Sequence, residues 1–472
     1  MFRRDNLIVS KGFWAGVIFV TVCLFWLKLM PGQAPAYAVG EPDAFGRMTW
    51  FNIWYWTDLG SYHRYSLTAY FPVGLIDAHI ITPLYGIAFP SEEFRLAARF
   101  KPYYIFMIGL VSCLAYFLAL RLSLDTLPAL VTALYLGLHK GWYWGFGAMS
   151  VVAVMPLLLI YGMMALFWWI TYLRTRKKVG LAGFMISFLL LIGAWEQWIN
   201  YLFFFVLFNM LLWFVPRARS ALVDGSSRNE DIDRTGGRRR IFTWGVVFPV
   251  ILFFIYMGFR STTLGSQMLA STGEDAMVFS YPYSLGNSPG VWKLMLEDMY
   301  VNGTLHIAST IESLLFPWRM LSQAVISQYD VGVFNPAHAT YSNVEHYLSL
   351  TDWYAGLLSG FFFCATIWLL WYLRTMRNGR DIFISSAGLL LTYTGFLVHL
   401  PIVYRAYFAA SGFAGLLDYK HIFSVLGFSL LVGWLWEKIV AKIARGRDKF
   451  IVTIILAFWL IFTNFSKITK LA

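Results

Sequence analysis

Long apolar runs recur along the whole chain, and short polar segments separate them. Backbone hydrogen bonds must be satisfied internally in a bilayer, and uninterrupted runs favour helices over barrel strands. The pattern predicts about eleven membrane spans, the third and fifth short enough to be tilted or half-buried. They lie near residues 13–31, 103–120, 127–139, 148–172, 180–195, 198–215, 241–258, 353–373, 382–400, 421–436 and 450–464.

The composition agrees with this pattern. Hydrophobic residues make up 59% of the 472 residues and charged residues 13%, whereas soluble domains contain about 25% charged residues. A soluble chain of this size could not bury so much apolar surface. The predicted fold class is therefore all-α, a multi-pass transmembrane helical bundle. The three cysteines lie within apolar runs and indicate no disulfide framework.

Most of the 37 Lys and Arg residues fall in polar segments on one side of this topology. Short basic loops mark the cytoplasmic side, which places the N-terminus inside together with residues 174–178, 216–240, 374–380 and 438–449. The first span has full spanning length and is expected to be an uncleaved signal-anchor. The net charge of +12 therefore reports topology, and nucleic acid is not an expected partner.

Two long segments, 32–102 and 259–352, then lie outside. The first is rich in Trp and Tyr, which favour the headgroup level, so interfacial helices are expected in it. The chain is predicted to divide into a transmembrane module that contains this loop (1–260), an outside cap (259–352) and C-terminal transmembrane helices (353–472). Three histidines of the cap are too scattered to predict a metal site: His306, His338 and His346.

An acidic pair, Glu41 and Asp43, stands near the start of the first outside loop. Pro42 biases Glu41 towards an extended backbone, in which residues i and i+2 face the same side. Such a pair can hold a divalent cation, Mg²⁺ or Mn²⁺, or one carboxylate can act as a general base while the other orients it. An acidic pair in an exposed loop is also common as ordinary solvated surface.

The stretch EPDAFGRM (41–48) resembles the acidic first-loop motif of the GT-C superfamily, integral-membrane glycosyltransferases that use polyprenyl-phosphate sugars. Glu41, Asp43 and Arg47 stand in the matching places, and the resemblance implies that one of the acids deprotonates the acceptor hydroxyl. Residues 127–169 are similar to the superfamily's third and fourth spans. Residues 416–436 are similar to a late span with a basic residue at its outer mouth. Many members place a second acid or a His beside the motif, where this chain has Pro42.

The outer mouth of the late span at 416–436 has basic residues on both sides: Arg405, Lys420 and His421. A polyprenyl-phosphate leaving group gains negative charge as the glycosidic bond breaks, and fixed cations would stabilise it. Arg suits bidentate phosphate contacts, while Lys acts as a point charge. The alternative is that these side chains simply extend to the headgroups from helix ends.

Two further outside turns carry candidate substrate-binding residues. Glu196 is either an acceptor-site carboxylate or a residue that caps a helix or faces water. His139 and Lys140 are candidates for contact with the donor phosphate. The neighbouring Trp142 fits an interfacial aromatic belt better than a sugar-stacking platform.

These features favour a lipid-dependent glycosyltransferase that moves a sugar, with inversion, from a polyprenyl-phosphate carrier to a glycan, lipid or protein acceptor outside the membrane. A surface-polysaccharide polymerase or ligase would instead use His399, Arg405 and the 259–352 segment. A transporter or flippase would carry ionisable or broken sites in mid-span, and the predicted spans are nearly free of them. Walker A and Rossmann fingerprints do not occur. The expected location is the bacterial inner membrane.

Overall fold

The computed structural model describes most of the predicted spans and short parts of the segments between them. It covers residues 7–29, 92–142, 149–194, 198–220, 222, 237–260, 303–304, 306–308, 310–311, 313–314, 341–376, 378–395, 397 and 422–468. Every regular element within these ranges is a helix. The all-α fold class predicted from the sequence is confirmed.

The helices are numbered α1 to α13 in chain order. They comprise α1 (Leu7–Leu29), α2 (Glu92–Arg121), α3 (Thr126–Leu138), α4 (Met149–Thr175), α5 (Lys178–Ala194), α6 (Trp198–Phe214), α7 (Pro216–Ser220), α8 (Gly237–Phe242), a π-helical turn (Thr243–Val247), α9 (Phe248–Arg260), α10 (Tyr341–Thr375), α11 (Gly379–Thr394), α12 (Ile422–Ala441) and α13 (Gly446–Ile468).

Among the described residues, seven helical segments are long and apolar enough to cross a membrane, and α5 and α6 are shorter apolar helices. Large apolar side chains also cover the outer surface of the bundle: Phe361 is 72% exposed, Phe254 68% and Phe458 66%. Exposure of such a surface to water would be unfavourable, whereas contact with lipid tails is not. The chain is an integral membrane protein whose helices contact lipid.

Helices α1 and α2 run in opposite directions. The Cys23 thiol in α1 donates to the carbonyl of Ile105 at 3.7 Å, while the Cys113 thiol in α2 donates to the carbonyl of Ala15 at 3.2 Å. A later position in α1 therefore pairs with an earlier position in α2. The same relation holds for α11 and α12, because the indole of Trp434 donates to Asp381 at 3.0 Å near the start of α11.

A glycine contact fixes the distance between α11 and α12. A Cβ atom added to Gly427 would lie 2.6 Å from the carbonyl carbon of Leu391 and 2.7 Å from the carbonyl oxygen of Gly388. No larger residue fits at that separation. A Cβ atom added to Gly433 would likewise lie 2.9 Å from the carbonyl oxygen of Pro128 in α3. Helices α3, α11 and α12 form the closely packed centre of the bundle.

One end of the bundle, here named the basic end, is held by charged groups. Arg380 pairs with Glu437 at 2.7 Å and donates from Nε to the carbonyl oxygen of Ser123 at 2.8 Å. Lys438 pairs with Asp381 at 2.5 Å. Ser123 lies between α2 and α3 with φ of 76°, and its carbonyl is thereby presented to α11. These contacts join the α2–α3 connection to the start of α11 and the end of α12.

Two helices begin more than ten residues before the predicted spans. Helix α2 begins at Glu92 instead of residue 103, and α10 begins at Tyr341 instead of residue 353. Their first turns are polar, so the apolar pattern identifies only the part of each helix that suits the hydrocarbon core. Both helices therefore extend into segments that the sequence assigned to outside loops.

Candidate functional site at the end of helix α3

Of the predicted site residues, the structure describes His139 and Lys140, which directly follow α3. The other predicted site residues lie outside the described residues: Glu41, Asp43, Arg47, Glu196, Arg405, Lys420 and His421. The site is therefore built from α3 and from the elements that surround its end.

Helix α3 is too short to cross a bilayer. Its 13 residues begin at the basic end, one residue after the exposed Asp125. At 1.5 Å per residue the helix covers about 20 Å, whereas the hydrocarbon core is about 30 Å thick. His139 and Lys140 follow the end of α3 and lie beside the last turns of α1, where the Trp26 indole contacts Gly137.

Both side chains are buried within the bundle. His139 is 0% exposed and Lys140 is 3% exposed. A cation within the membrane region is costly and, where it occurs, commonly marks a functional site. The sequence identified the residue types and the turn. It did not predict their burial, because burial depends on the helices that surround the turn.

The turn after α3 is held by side chains as well as backbone. The N–H of Gly141 donates to Nδ1 of His139 at 3.0 Å. Because Nδ1 accepts, the neutral imidazole carries its proton on Nε2 and is a hydrogen-bond donor there. The indole of Trp142 donates to the carbonyl oxygen of Leu136 at 2.7 Å, which closes the turn back onto the helix.

Trp142 corrects one sequence-based interpretation. The sequence favoured an interfacial belt, but the indole is 1% exposed and its ring packs edge-on against Tyr104, with centroids 5.9 Å apart. A residue in an aromatic belt would face headgroups. Trp142 instead fixes the turn that carries Lys140.

Tyr135 joins this turn to the second predicted outside segment. Its ring lies 5.8 Å from that of His139, and its hydroxyl donates to the carbonyl of Thr310. The hydroxyl of Thr310 in turn donates to the carbonyl of His306 at 2.8 Å, and His306 is fully buried. The helical turn that contains His306 and Thr310 thus lies against Tyr135 of α3. The sequence contained no signal for Tyr135, which lies inside an apolar run.

The helix ends that lead to the remaining candidates lie beside this turn. The indole of Trp26, near the end of α1, donates to the carbonyl of Gly137 at 2.8 Å. The chain leaves α1 at Leu29 towards Glu41 and Asp43. Helix α12 begins directly after Lys420 and His421, and its Phe428 ring packs 5.5 Å from that of Tyr135.

The described residues include no group of three His, Cys, Asp or Glu side chains that could hold a metal ion. The predicted divalent cation would be held by Glu41 and Asp43, which lie outside these residues. His139 and Lys140 offer an N–H donor and a cation, which suit an anion and not a metal.

Comparison with known proteins gives no family assignment. Neither a protein-family model nor a curated protein matches the chain. Among solved structures, the chain is similar to the oligosaccharyltransferase of Archaeoglobus fulgidus in its apo form, with 13% sequence identity and a TM-score of 0.42. The match covers 97% of this chain and 56% of the archaeal chain, so this chain spans little more than half of that protein. A likeness at this level establishes no shared activity.

Proposed function

We propose that the chain is a membrane glycosyltransferase that moves a sugar from a polyprenyl-phosphate carrier to an acceptor hydroxyl on the non-cytoplasmic face. The proposal is supported first by the acidic pair and Arg47, which resemble the GT-C first-loop motif. The observation that carries it is the burial of Lys140 and His139 at the end of α3. A buried cation and an N–H donor beside the end of α1 suit a phosphate that enters from the outer leaflet with its lipid.

The proposed reaction is a single displacement. Glu41 or Asp43 takes the proton of the acceptor hydroxyl as its oxygen attacks the anomeric carbon. The bond between that carbon and the phosphate oxygen breaks on the opposite side, and its electron pair remains on the phosphate, so the configuration inverts. A divalent cation on the acidic pair would supply further positive charge, and no step depends on it.

The leaving phosphate needs fixed positive charge where its own charge develops. Lys140 supplies a cation in a site that lipid and protein keep dry, where electrostatic stabilisation is stronger than in water. His139 would donate from Nε2. Arg405 and Lys420, on the segment before α12, would add charge from the water side.

The test is transfer of a radiolabelled sugar from polyprenyl phosphate in membranes that contain the full-length protein. Asp43→Asn and Glu41→Gln are compared with Asp58→Asn, which removes an acid from the same loop. We expect at least one of the first two to lower transfer by about 100-fold or more, as for the loss of a general base. Asp58→Asn should retain transfer.

The same assay tests the buried cation. Lys140→Gln is compared with Lys28→Gln, which removes an exposed cation at the last turn of α1. We expect Lys140→Gln to reduce transfer about tenfold or more, since charged hydrogen bonds contribute about 1.5–3 kcal/mol, and Lys28→Gln to have little effect.

Two results would contradict the proposal. Full transfer by both acid variants, together with its loss in Arg405→Ala, would favour a polysaccharide polymerase or ligase. Absence of transfer by the parent protein with every donor tried would favour a lipid transporter.

A further inference from the structure

A second site lies at the basic end, on the side of the bundle opposite to the end of α3. Three elements surround a cleft of about 420 Å³, a volume that includes its open mouth. Helix α4 and the turn after it contribute Tyr172, Leu173 and Arg176, and the region of α7 contributes Arg219 and Leu222. Helix α8 contributes Gly237, Arg240 and Ile241.

Three arginines line this cleft, and none of the described residues that line it is acidic. Arg176 and Arg240 are exposed, whereas Arg219 is 4% exposed and donates from its guanidinium to the carbonyl oxygen of Trp213 at 3.1 Å. The exposed cations of Arg176 and Arg240 repel one another, and a bound anion relieves that repulsion. Guanidinium groups bind phosphate with paired hydrogen bonds.

The backbone presents one of these cations in an unusual way. Arg176 has φ of 57°, in the left-handed region, and its N–H donates to the carbonyl of Tyr172 at 2.8 Å. This conformation ends α4 and turns the chain into α5. A non-glycine residue in that region is uncommon, and here it carries its guanidinium to the mouth of the cleft.

The other walls of the cleft are apolar, and an exposed aromatic side chain follows them in α8. Tyr172, Leu173, Leu222 and Ile241 line the cleft. Phe242, which follows Ile241, is 38% exposed and packs on Trp213 with ring centroids 4.8 Å apart. A free anion needs only the charges, whereas a lipid needs charges beside an apolar surface. Basic pockets between membrane helices on the cytoplasmic side are suited to anionic lipid headgroups.

We propose that this cleft binds the phosphate group of an anionic phospholipid in the leaflet at the basic end. Arg240 and Arg176 contact the phosphate, Arg219 supports it from below, and the acyl chains lie along the surface beside Phe242. This site is separate from the proposed transferase site, and its existence does not depend on that activity.

The experiment uses the full-length protein purified in a neutral detergent. Its thermal midpoint is measured by tryptophan fluorescence as phosphatidylglycerol, phosphatidylcholine or inorganic phosphate is added at matched concentrations. We expect phosphatidylglycerol to raise the midpoint, because a ligand that binds only the folded state stabilises it. Phosphatidylcholine and inorganic phosphate should each give less than half of that shift.

Matched single variants locate the site. Arg240→Gln and Arg176→Gln remove exposed cations that line the cleft, while Arg239→Gln and Lys177→Gln remove their exposed chain neighbours, which do not. We expect the first pair to bind phosphatidylglycerol about tenfold more weakly, corresponding to about 1.4 kcal/mol. The second pair should bind it as the parent does. Native mass spectrometry independently counts the phosphatidylglycerol molecules that remain bound to each variant.

Several outcomes would overturn the proposal. Equal weakening by Arg239→Gln and Arg240→Gln would mean that only general surface charge acts. An equal shift with inorganic phosphate would mean an anion site without lipid. If phosphatidylglycerol has no effect and replacement of Glu230, Asp231 and Asp233 by their amides lowers the midpoint, the chain's own acids occupy the cleft.

Discussion

Gly427 allows the backbones of α11 and α12 to approach to a distance at which no side chain fits. The carbonyl oxygen of Gly388 lies opposite, and Gly395 lies against Ser424 at the other end of the same contact. Small residues at such contacts are a general means of association between membrane helices, where close packing replaces the hydrophobic effect as the driving force.

We predict that Gly427→Ala destabilises the bundle markedly, because the added methyl group collides with backbone atoms that cannot rotate away. Overpacking of this kind costs about 1–3 kcal/mol or more. The measurement is the thermal midpoint in detergent. Gly360→Ala in α10 is the control, since nothing lies within 4 Å of an added Cβ there, and it should leave the midpoint unchanged or slightly raised. Equal losses for both variants would refute the role of the contact.

At the scale of the element, the π-helical turn between α8 and α9 is explained by a residue on another helix. Asn209 in α6 accepts from the indole of Trp169 at 2.9 Å and donates to the carbonyl of Gly245 at 3.1 Å. An added Cβ at Gly245 would lie 2.6 Å from both terminal atoms of the Asn209 amide. The widened turn thus receives a polar side chain that joins three helices.

Asn209→Leu should destabilise the protein by about 1–3 kcal/mol, because it leaves the buried Trp169 indole without its acceptor. Average side-chain hydrogen bonds between membrane helices are weaker, about 0.6 kcal/mol, but this amide makes contacts in two directions. The measurement is the free energy of unfolding in mixed micelles, with Trp169→Phe in a double-mutant cycle. A cycle without coupling between the two positions would contradict this account.

An element could be predicted from the sequence when the residues that determine it lie within or next to it. The span near 127–139 was predicted within a residue of α3, because its ends are marked by Asp125 and by the polar turn at His139. The π-helical turn could not be predicted, since it depends on Asn209, 36 positions from Gly245. The burial of Lys140 likewise depends on the length of α3 relative to the helices around it. No local pattern carries that information.

At the scale of the whole molecule, charge is distributed unequally between the two ends. The ion pairs of Arg380 and Lys438 and the arginine cleft all lie at the basic end. The positive-inside rule predicts that this end faces the cytoplasm. The proposed transferase site would then face outwards.

A pair of cysteine variants tests that orientation after Cys23, Cys113 and Cys364 are replaced by Ser. Gly446→Cys lies at the start of α13 at the basic end, and Gly258→Cys lies near the end of α9; an added Cβ meets nothing within 4 Å at either. In intact cells, a membrane-impermeant maleimide should label Gly258→Cys alone. Labelling of Gly446→Cys should require permeabilised cells. The reverse pattern would place the end of α3 on the cytoplasmic side.

The shortness of α3 has an energetic consequence for a substrate with a long hydrocarbon tail. To react at the membrane surface, such a substrate would have to expose the first part of its tail to water, at about 0.8 kcal/mol for each methylene group. Lys140 is 3% exposed, so a phosphate that contacts it is surrounded by protein and its first methylene groups need not enter water. The position of the end of α3 thereby determines where the phosphate can contact Lys140, and an insertion that lengthened α3 would weaken binding of long-tailed donors more than that of short-tailed analogues.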